Sequence, residues 1–174
     1  LTHVAAVDGS AKGTRRAWGV WEGMRETPMP TDPDERRRRE GDGAREEERE
    51  QAAGEGMWGG ALPAQYSIQD AEMVAILELL RKHVRESERE GVPRRILVLS
   101  DCQSVLQKIE AAWRRGTAWR AQGDRVCMLE EICRLRRRLQ AVDDGSGAGR
   151  LLCAYVPGHE GCVPNAIADA VAKA

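Results

Sequence analysis

The sequence lacks several features that would each point to a particular class of protein. It has no excess of charge, because 27 Lys and Arg offset 28 Asp and Glu and leave a formal net charge of -1. Its five cysteines form an odd number without a C-x-x-C pair, so neither a disulfide framework nor a zinc ribbon is indicated. It also has no signal peptide and no apolar run near the roughly 20 residues that span a bilayer. We therefore expect an intracellular protein of the nucleus or cytoplasm, not secreted and without membrane contact, whose nucleic-acid contacts would need a local basic patch.

The 174 residues suffice for one domain with a sizeable core, which we expect to be monomeric. Because the sequence begins without Met, directly in a predicted strand, we expect it to be a domain of a longer polypeptide. Short apolar runs predict strands at 2–8, 17–24, 57–62, 96–100 and 151–156. Helical spacing predicts helices at 67–89, through 105–112, at 124–142, and from Pro164 onward.

The order of these elements predicts an α/β fold. Three consecutive strands suit antiparallel pairing, and the later strands, each reached through a helix, suit parallel pairing with right-handed crossovers. The prediction is a mixed five-stranded sheet, three antiparallel strands followed by two parallel ones, flanked by helices. The segment 25–56 is rich in Arg, Glu and Pro and is predicted to be a disordered insertion. Its four consecutive arginines could contact phosphate, but the flanking acids favour a solvated loop.

Four acidic residues stand where the predicted fold would bring them together. Asp8 and Asp101 each follow a buried strand, and the carboxyl ends of neighbouring strands meet at one edge of an open sheet. Glu72 lies in the first turns of helix 67–89, and Asp169 lies among alanines that permit close approach. Taken singly, each has an ordinary explanation as a turn former, a helix cap or an exposed helical acid. Taken together, they predict one site.

Clustered carboxylates repel one another, by about 1 kcal/mol for a pair at 4 Å in water and about 4 kcal/mol at an effective dielectric of 20. A divalent cation converts that repulsion into ligation. Because the ligands are oxygen atoms, without cysteine or a histidine cluster, they favour Mg²⁺, or Mn²⁺ in its place, over zinc. Two such ions would activate a water and stabilise the leaving oxygen of a phosphodiester.

The segments VAAVDGS, QDAEMVAILELL, ILVLSDCQSVL and YVPGHEGCVPNAIADAVAK resemble the four sequence blocks of type 1 ribonuclease H, in the form carried by retroelement polyproteins beside a reverse transcriptase. The closing block keeps G-H-x-G, with an asparagine six residues after the histidine and an aspartate ten after it. The resemblance covers nearly the whole chain outside the insertion. It implies a ribonuclease H-like fold and an endonuclease that cuts the RNA strand of RNA/DNA hybrids, leaving 5'-phosphate and 3'-hydroxyl ends.

The resemblance also implies roles for individual residues. The catalytic and metal-binding carboxylates would be Asp8, Glu72, Asp101 and Asp169. His159 would assist proton transfer or product release from a mobile loop, supported by Asn165. The partners would be an RNA/DNA hybrid and a covalently linked reverse transcriptase, and the cofactor two Mg²⁺ ions.

Residues for recognising the hybrid form two groups. The resemblance implies that Gly9, Ser10 and Gln69 sense the 2'-hydroxyl, which separates RNA from DNA. Ile68 stands where the family often has an asparagine, so this chain differs from the family at that position. The second group alternates aromatic and basic side chains, as a DNA-gripping surface does: Trp113, Arg114, Arg115, Trp119 and Arg120. A position of Trp113 in the core is the equal alternative.

Three functions stay open from the sequence. The first is an active hybrid-specific ribonuclease, which the intact set of acids and His159 favours. The second is a catalytically inactive domain of the same fold that binds nucleic acid or supports a reverse transcriptase. The third is a nuclease or integrase of similar fold that acts on DNA, which the G-H-x-G turn with its downstream Asn and Asp disfavours.

Overall fold

A computed structural model describes residues 2–25, 56–115, 124–143, 145, 149–157 and 162–173. The predicted insertion at 25–56 lies outside these ranges except for its end residues, Arg25 and Gly56. His159, Trp119 and Arg120 also lie outside them. No described helix is both long enough and apolar enough to cross a membrane.

Five strands form one mixed sheet in the order β3-β2-β1-β4-β5. The strands are β1 (Thr2–Lys12), β2 (Arg15–Arg25), β3 (Met57–Leu62), β4 (Arg95–Ser100) and β5 (Arg150–Tyr155). The pairs β1/β2 and β2/β3 are antiparallel, whereas β1/β4 and β4/β5 are parallel. The predicted fold class, with three antiparallel strands followed by two parallel ones, is confirmed.

The sequence predicted that the first strand ends at Asp8, and this prediction is wrong. β1 continues to Lys12, and a two-residue turn with Gly13 at φ 58° joins it to β2, which begins at Arg15. Pairing with β2 along the whole hairpin carries β1 past Gly9 because the antiparallel partner supplies hydrogen bonds there. The parallel pairing with β4 stops earlier, at Ala6 opposite Leu99. Asp8 therefore lies inside a long strand, just beyond the end of its parallel half.

Four helices accompany the sheet, namely α1 (Ile68–Glu90), α2 (Gln103–Arg115), α3 (Asp124–Ala141) and α4 (Val163–Lys173). The start of α1 is fixed by a capping box, in which Asp70 N donates to Ser67 Oγ and Ser67 N donates to Asp70 Oδ2. The helix ends at Gly91, whose φ of 65° is the left-handed conformation that glycine adopts without strain. These boundaries place Glu72 in the first two turns of α1.

The helices divide between the two faces of the sheet. The main core lies between one face and helices α1, α2 and α3, and its fully buried side chains include Met73, Ile76 and Ile132. On the other face α4 packs against β1 and β2, where a smaller cluster joins Val4, Trp21 and other side chains to it. The end of the sheet at Asp8 is thus approached by α1 from one side and by α4 from the other.

Candidate active site

Three of the predicted carboxylates come together at the end of the parallel strands. Asp8 on β1, Glu72 on α1 and Asp101, directly after β4, each offer an oxygen atom, and these oxygens all lie within 4.8 Å of one another. Asp8 is 8% exposed and Glu72 only 1%, whereas Asp101 is partly open to solvent. The cluster is therefore buried at Asp8 and Glu72 and accessible to solvent at Asp101.

A glycine in β1 allows Glu72 to approach Asp8. A Cβ atom at Gly9 would lie 2.6 Å from the carbonyl oxygen of Ile68 and 2.9 Å from the amide nitrogen of Glu72. Such distances are far inside van der Waals contact, so only glycine lets the first turns of α1 rest on the strand. The Gly9 amide also donates to Asp8 Oδ1 at 2.8 Å, which orients that carboxylate.

A second glycine brings α4 to the same place from the opposite face. Gly19 pairs with Asp8 across the β1/β2 hairpin, and a Cβ there would lie 2.3 Å from the carbonyl oxygen of Ala168. The next residue of that helix, Asp169, shares a side-chain hydrogen bond with Asp8. Asp169 Oδ2 also accepts from Lys173 Nζ, one helical turn further on, at 2.5 Å. The fourth predicted carboxylate thus joins the cluster through Asp8.

Crowding and burial make two of these acids hold protons unusually well. Burial raises the pKa of Asp8 to about 7, and the hydrogen bond with Asp169 and the negative charges of Asp101 and Asp169 add to the effect. Burial likewise raises the pKa of Glu72 to about 8, with contributions from the charges of Asp8 and Asp101. The Ser100 hydroxyl opposes this rise by donating to Glu72. The nearby cation Lys173 is paired with Asp169 and not with Asp8 or Glu72 in the hydrogen bonds of the described residues.

This arrangement fits a divalent cation. Its ligands would be carboxylate oxygens, which Mg²⁺ and Mn²⁺ prefer. A cation among Asp8, Glu72 and Asp101 would remove the repulsion that raises their pKa values, and would take the place of the protons held there. The residues present therefore fit the kind of metal that the sequence predicted.

Two supporting residues complete the cluster, and sequence reasoning found only one of them. Ser100, buried at the end of β4, donates to Glu72 Oε1 at 2.5 Å and accepts from the Cys102 amide at 3.0 Å. Its only sequence signal is a polar residue at the end of an apolar strand, next to Asp101. Asn165 was predicted to support the loop of His159. It is 4% exposed, and its Nδ2 lies 3.4 Å from Asp101 Oδ2.

The predicted hybrid-sensing residues line the same edge. Gly9 and Ser10 follow Asp8 along β1 and are partly exposed. Gln69 lies on the first turn of α1, where its Oε1 accepts from Lys108 Nζ at 2.8 Å. The amide nitrogen of the same side chain carries the N–H groups that can donate. The roles of these residues in recognition stay predictions.

The structure describes three members of the predicted aromatic and basic patch. Trp113 is partly buried against the main core, with Arg136 Cζ 4.2 Å from the centre of its ring. Arg114 and Arg115, at the end of α2, are exposed. Trp113 therefore packs against the core, and its role in a DNA-binding patch stays a prediction. The remaining members, Trp119 and Arg120, and the loop histidine, His159, lie outside the described ranges.

Comparison with known proteins points in one direction. Residues 36–174 match the family model described as RNase H. No curated protein sequence matches the chain. The matched range begins after both β1 and β2, so the place of Asp8 in the site rests on the geometry of the sheet.

Solved structures share the fold at low sequence identity. An LC11 RNase H1 in complex with an RNA/DNA hybrid is 13% identical, with a TM-score of 0.56 over 98% of this chain and 94% of that one. The RNase H1 of the archaeon Halobacterium salinarum is 19% identical, with a TM-score of 0.50 over 99% and 95%. A foamy viral protease-reverse transcriptase in complex with dsDNA is 12% identical, with a TM-score of 0.59 over 99% and 90%. At these identities the likeness establishes the fold.

Proposed function

The chain belongs to the RNase H family, and from that premise we propose that it is a metal-dependent endonuclease that hydrolyses the RNA strand of RNA/DNA hybrids. The products would be a 5'-phosphate and a 3'-hydroxyl. One observation carries the proposal: oxygens of Asp8, Glu72 and Asp101, from three separate elements, lie within 4.8 Å of one another. The structurally similar LC11 RNase H1, which is in complex with an RNA/DNA hybrid, supports the choice of substrate.

The chain's own residues would prepare the site for this reaction. Asp8, Glu72, Asp101 and Asp169 would hold two Mg²⁺ ions, which when bound supply an activated water and stabilise charge on the leaving oxygen. Ser100 fixes the rotamer of Glu72, and the Gly9 amide fixes that of Asp8. Asn165 would orient Asp101 from the start of α4.

Recognition of the hybrid would combine a groove contact and a charged surface. The amide nitrogen of Gln69 would donate to a 2'-hydroxyl, while its amide oxygen accepts from Lys108. Arg114 and Arg115 would contact phosphates of the DNA strand. The foamy viral neighbour and the resemblance to retroelement domains support a covalently linked reverse transcriptase as a further partner.

The test is cleavage of an end-labelled RNA/DNA hybrid with Mg²⁺, beside single-stranded RNA, duplex RNA and duplex DNA of the same sequence. Asp101→Asn removes one carboxylate charge, and Glu130→Gln, on the exposed side of α3, is the matched control. We expect the RNA strand of the hybrid alone to be cut, the Asp101 variant to lose cleavage, and the Glu130 variant to keep it.

Other outcomes would separate the remaining functions. Hybrid binding without cleavage, measured by fluorescence anisotropy, would favour the catalytically inactive alternative. Cleavage of duplex DNA would favour the DNA nuclease.

For the charged surface, Arg114→Ser and Arg115→Ser should each lower the slope of log affinity against log salt by about 0.9. An unchanged slope would remove these arginines from the interface.

A further inference from the structure

A second cluster of metal-ligand side chains lies at the other end of β1. We propose that His3, Glu22 and His83 bind a transition-metal ion, with Zn²⁺ as the best match to their chemistry. The cluster joins β1, β2 and α1. His3 and Asp8 are five residues apart on one strand, roughly 16 Å at the usual rise of a strand, so this site is separate from the carboxylate cluster. The proposal does not depend on the proposed ribonuclease activity.

The geometry of the cluster is close to that of a zinc site. One ligand atom from each residue lies within 4.8 Å of the other two, and the His3 and His83 rings are 4.6 Å apart between centroids. Tetrahedral zinc with bonds of about 2.0–2.1 Å needs ligand atoms about 3.3 Å apart. Glu22 Oε1 and His83 Nε2 are 2.7 Å apart and would open slightly to admit the ion. The three residues would then supply three of the four ligands of a tetrahedral site.

One buried atom in the cluster lacks a satisfactory partner. His83 is 0% exposed, and among the described residues its Nε2 has no partner with hydrogen-bond geometry, although Glu22 Oε1 lies 2.7 Å away. A metal ion placed between His83 Nε2 and Glu22 Oε1 would be bound by both atoms.

The donor set of the cluster consists of two imidazoles and one carboxylate. Imidazole with carboxylate selects zinc and its neighbours in the first transition row over Mg²⁺.

Two cations border the cluster, Lys82 beside Glu22 and Arg94 beside His83. Lys82 Nζ lies 2.6 Å from Glu22 Oε2. If Glu22 binds the ion through Oε1 alone, this ion pair can persist. Arg94 Nη1 lies 3.3 Å from His83 Nδ1, and zinc at Nε2 would put the ring proton on Nδ1, so this contact must lengthen. Arg94 keeps its shorter ion pairs, at 2.5 Å to Glu86 and 2.7 Å to Glu90.

The position of the site gives it a structural role. The Glu22 amide donates to the carbonyl oxygen of Gly56 at 2.9 Å, so the cluster adjoins the point where the chain returns from the 26–55 segment to the sheet. A metal held by two strands and a helix would stabilise that end of the hairpin, because an ion that binds only the folded state stabilises it.

The test is zinc binding to the full chain carrying Asp8→Asn and Asp101→Asn, which weaken the carboxylate cluster. Isothermal titration calorimetry should show one Zn²⁺ per chain, and Co²⁺ should give the strong visible absorption of a four-coordinate site. Adding His3→Asn or Glu22→Gln should weaken zinc binding at least tenfold. His159→Asn, which alters the remaining histidine of the chain, should leave it unchanged.

A readout on the unaltered cluster guards against variants that fail to fold. Zinc should shift the ¹⁵N resonances of a ring nitrogen in both His3 and His83 in the same background protein. The proposal is overturned if these resonances do not move. It is also overturned if His3→Asn folds and binds zinc as tightly as its parent.

Discussion

Asp8→Asn should abolish cleavage and yet stabilise the metal-free protein. The reason is electrostatic, because folding places the Asp8 carboxylate beside Asp101 and Asp169 and removes most of it from water. An acid whose pKa is higher in the folded state holds more protons there than in the unfolded chain. The contribution of such an acid to the stability of the folded state is fully present at low pH and is lost as the pH rises through the folded-state pKa. Asparagine does not ionise, so the variant does not suffer this loss of stability at high pH.

The magnitude follows from the pKa of Asp8, which rises from its ordinary value of 3.8 to about 7. Taken in full, a change of this size corresponds to about 4 kcal/mol. Asp8 keeps some contact with solvent, which screens the repulsion, so we expect a gain of about 1–3 kcal/mol at pH 8. At pH 4 the gain should be nearly absent, because Asp8 is then protonated in the folded state.

The assay is urea unfolding in EDTA at pH 4 and pH 8, with Glu130→Gln as a control for the loss of an exposed acid. Adding Mg²⁺ at pH 8 should raise the melting temperature of the parent more than that of Asp8→Asn, because the variant has lost a ligand. Equal or lower stability of Asp8→Asn at pH 8, relative to the parent, would refute a tightly packed acidic cluster.

Two further substitutions examine how the site is assembled. Gly19→Ala should destabilise the fold by about 1–3 kcal/mol, because its Cβ would lie 2.3 Å from the carbonyl oxygen of Ala168; thermal unfolding should show no such loss for Gly56→Ala, which meets nothing within 4 Å. Ser100→Ala should raise the pKa of Glu72 further and weaken Mg²⁺ binding measured by calorimetry, since the buried carboxylate loses its hydroxyl donor. Unaltered Mg²⁺ affinity in the serine variant would show that Ser100 does not orient Glu72.

Much of the fold could be predicted because its elements carry strong local signals. The capping box at Ser67 and the left-handed glycine at Gly91 both act within a few residues, so the bounds of α1 differ from the prediction by about one residue. The third strand was predicted at the bounds the structure gives. The end of β1 was predicted wrongly because pairing with β2, not the local sequence, extends it past Gly9.

The candidate site divides in the same way. The sequence indicated Asp8 and Asp101 because each follows an apolar strand, and Glu72 because it lies in the first turns of a helix; the structure brings the three together. It could not find the donation from Ser100 to Glu72, because those residues are 28 positions apart and only packing joins them. The roles of the residues outside the described ranges stay predictions.

The sequence by itself determined the order of the elements, the mixed sheet and the acids that could serve chemistry, because periodicity, caps and strand ends are written in neighbouring residues. Tertiary structure decided how close those acids lie and what holds them. Gly9 and Gly19 show the physical reason, since each matters only through the helix backbone that rests on it. The same holds for His3, Glu22 and His83, which are distant in the sequence and which two strands and a helix place side by side.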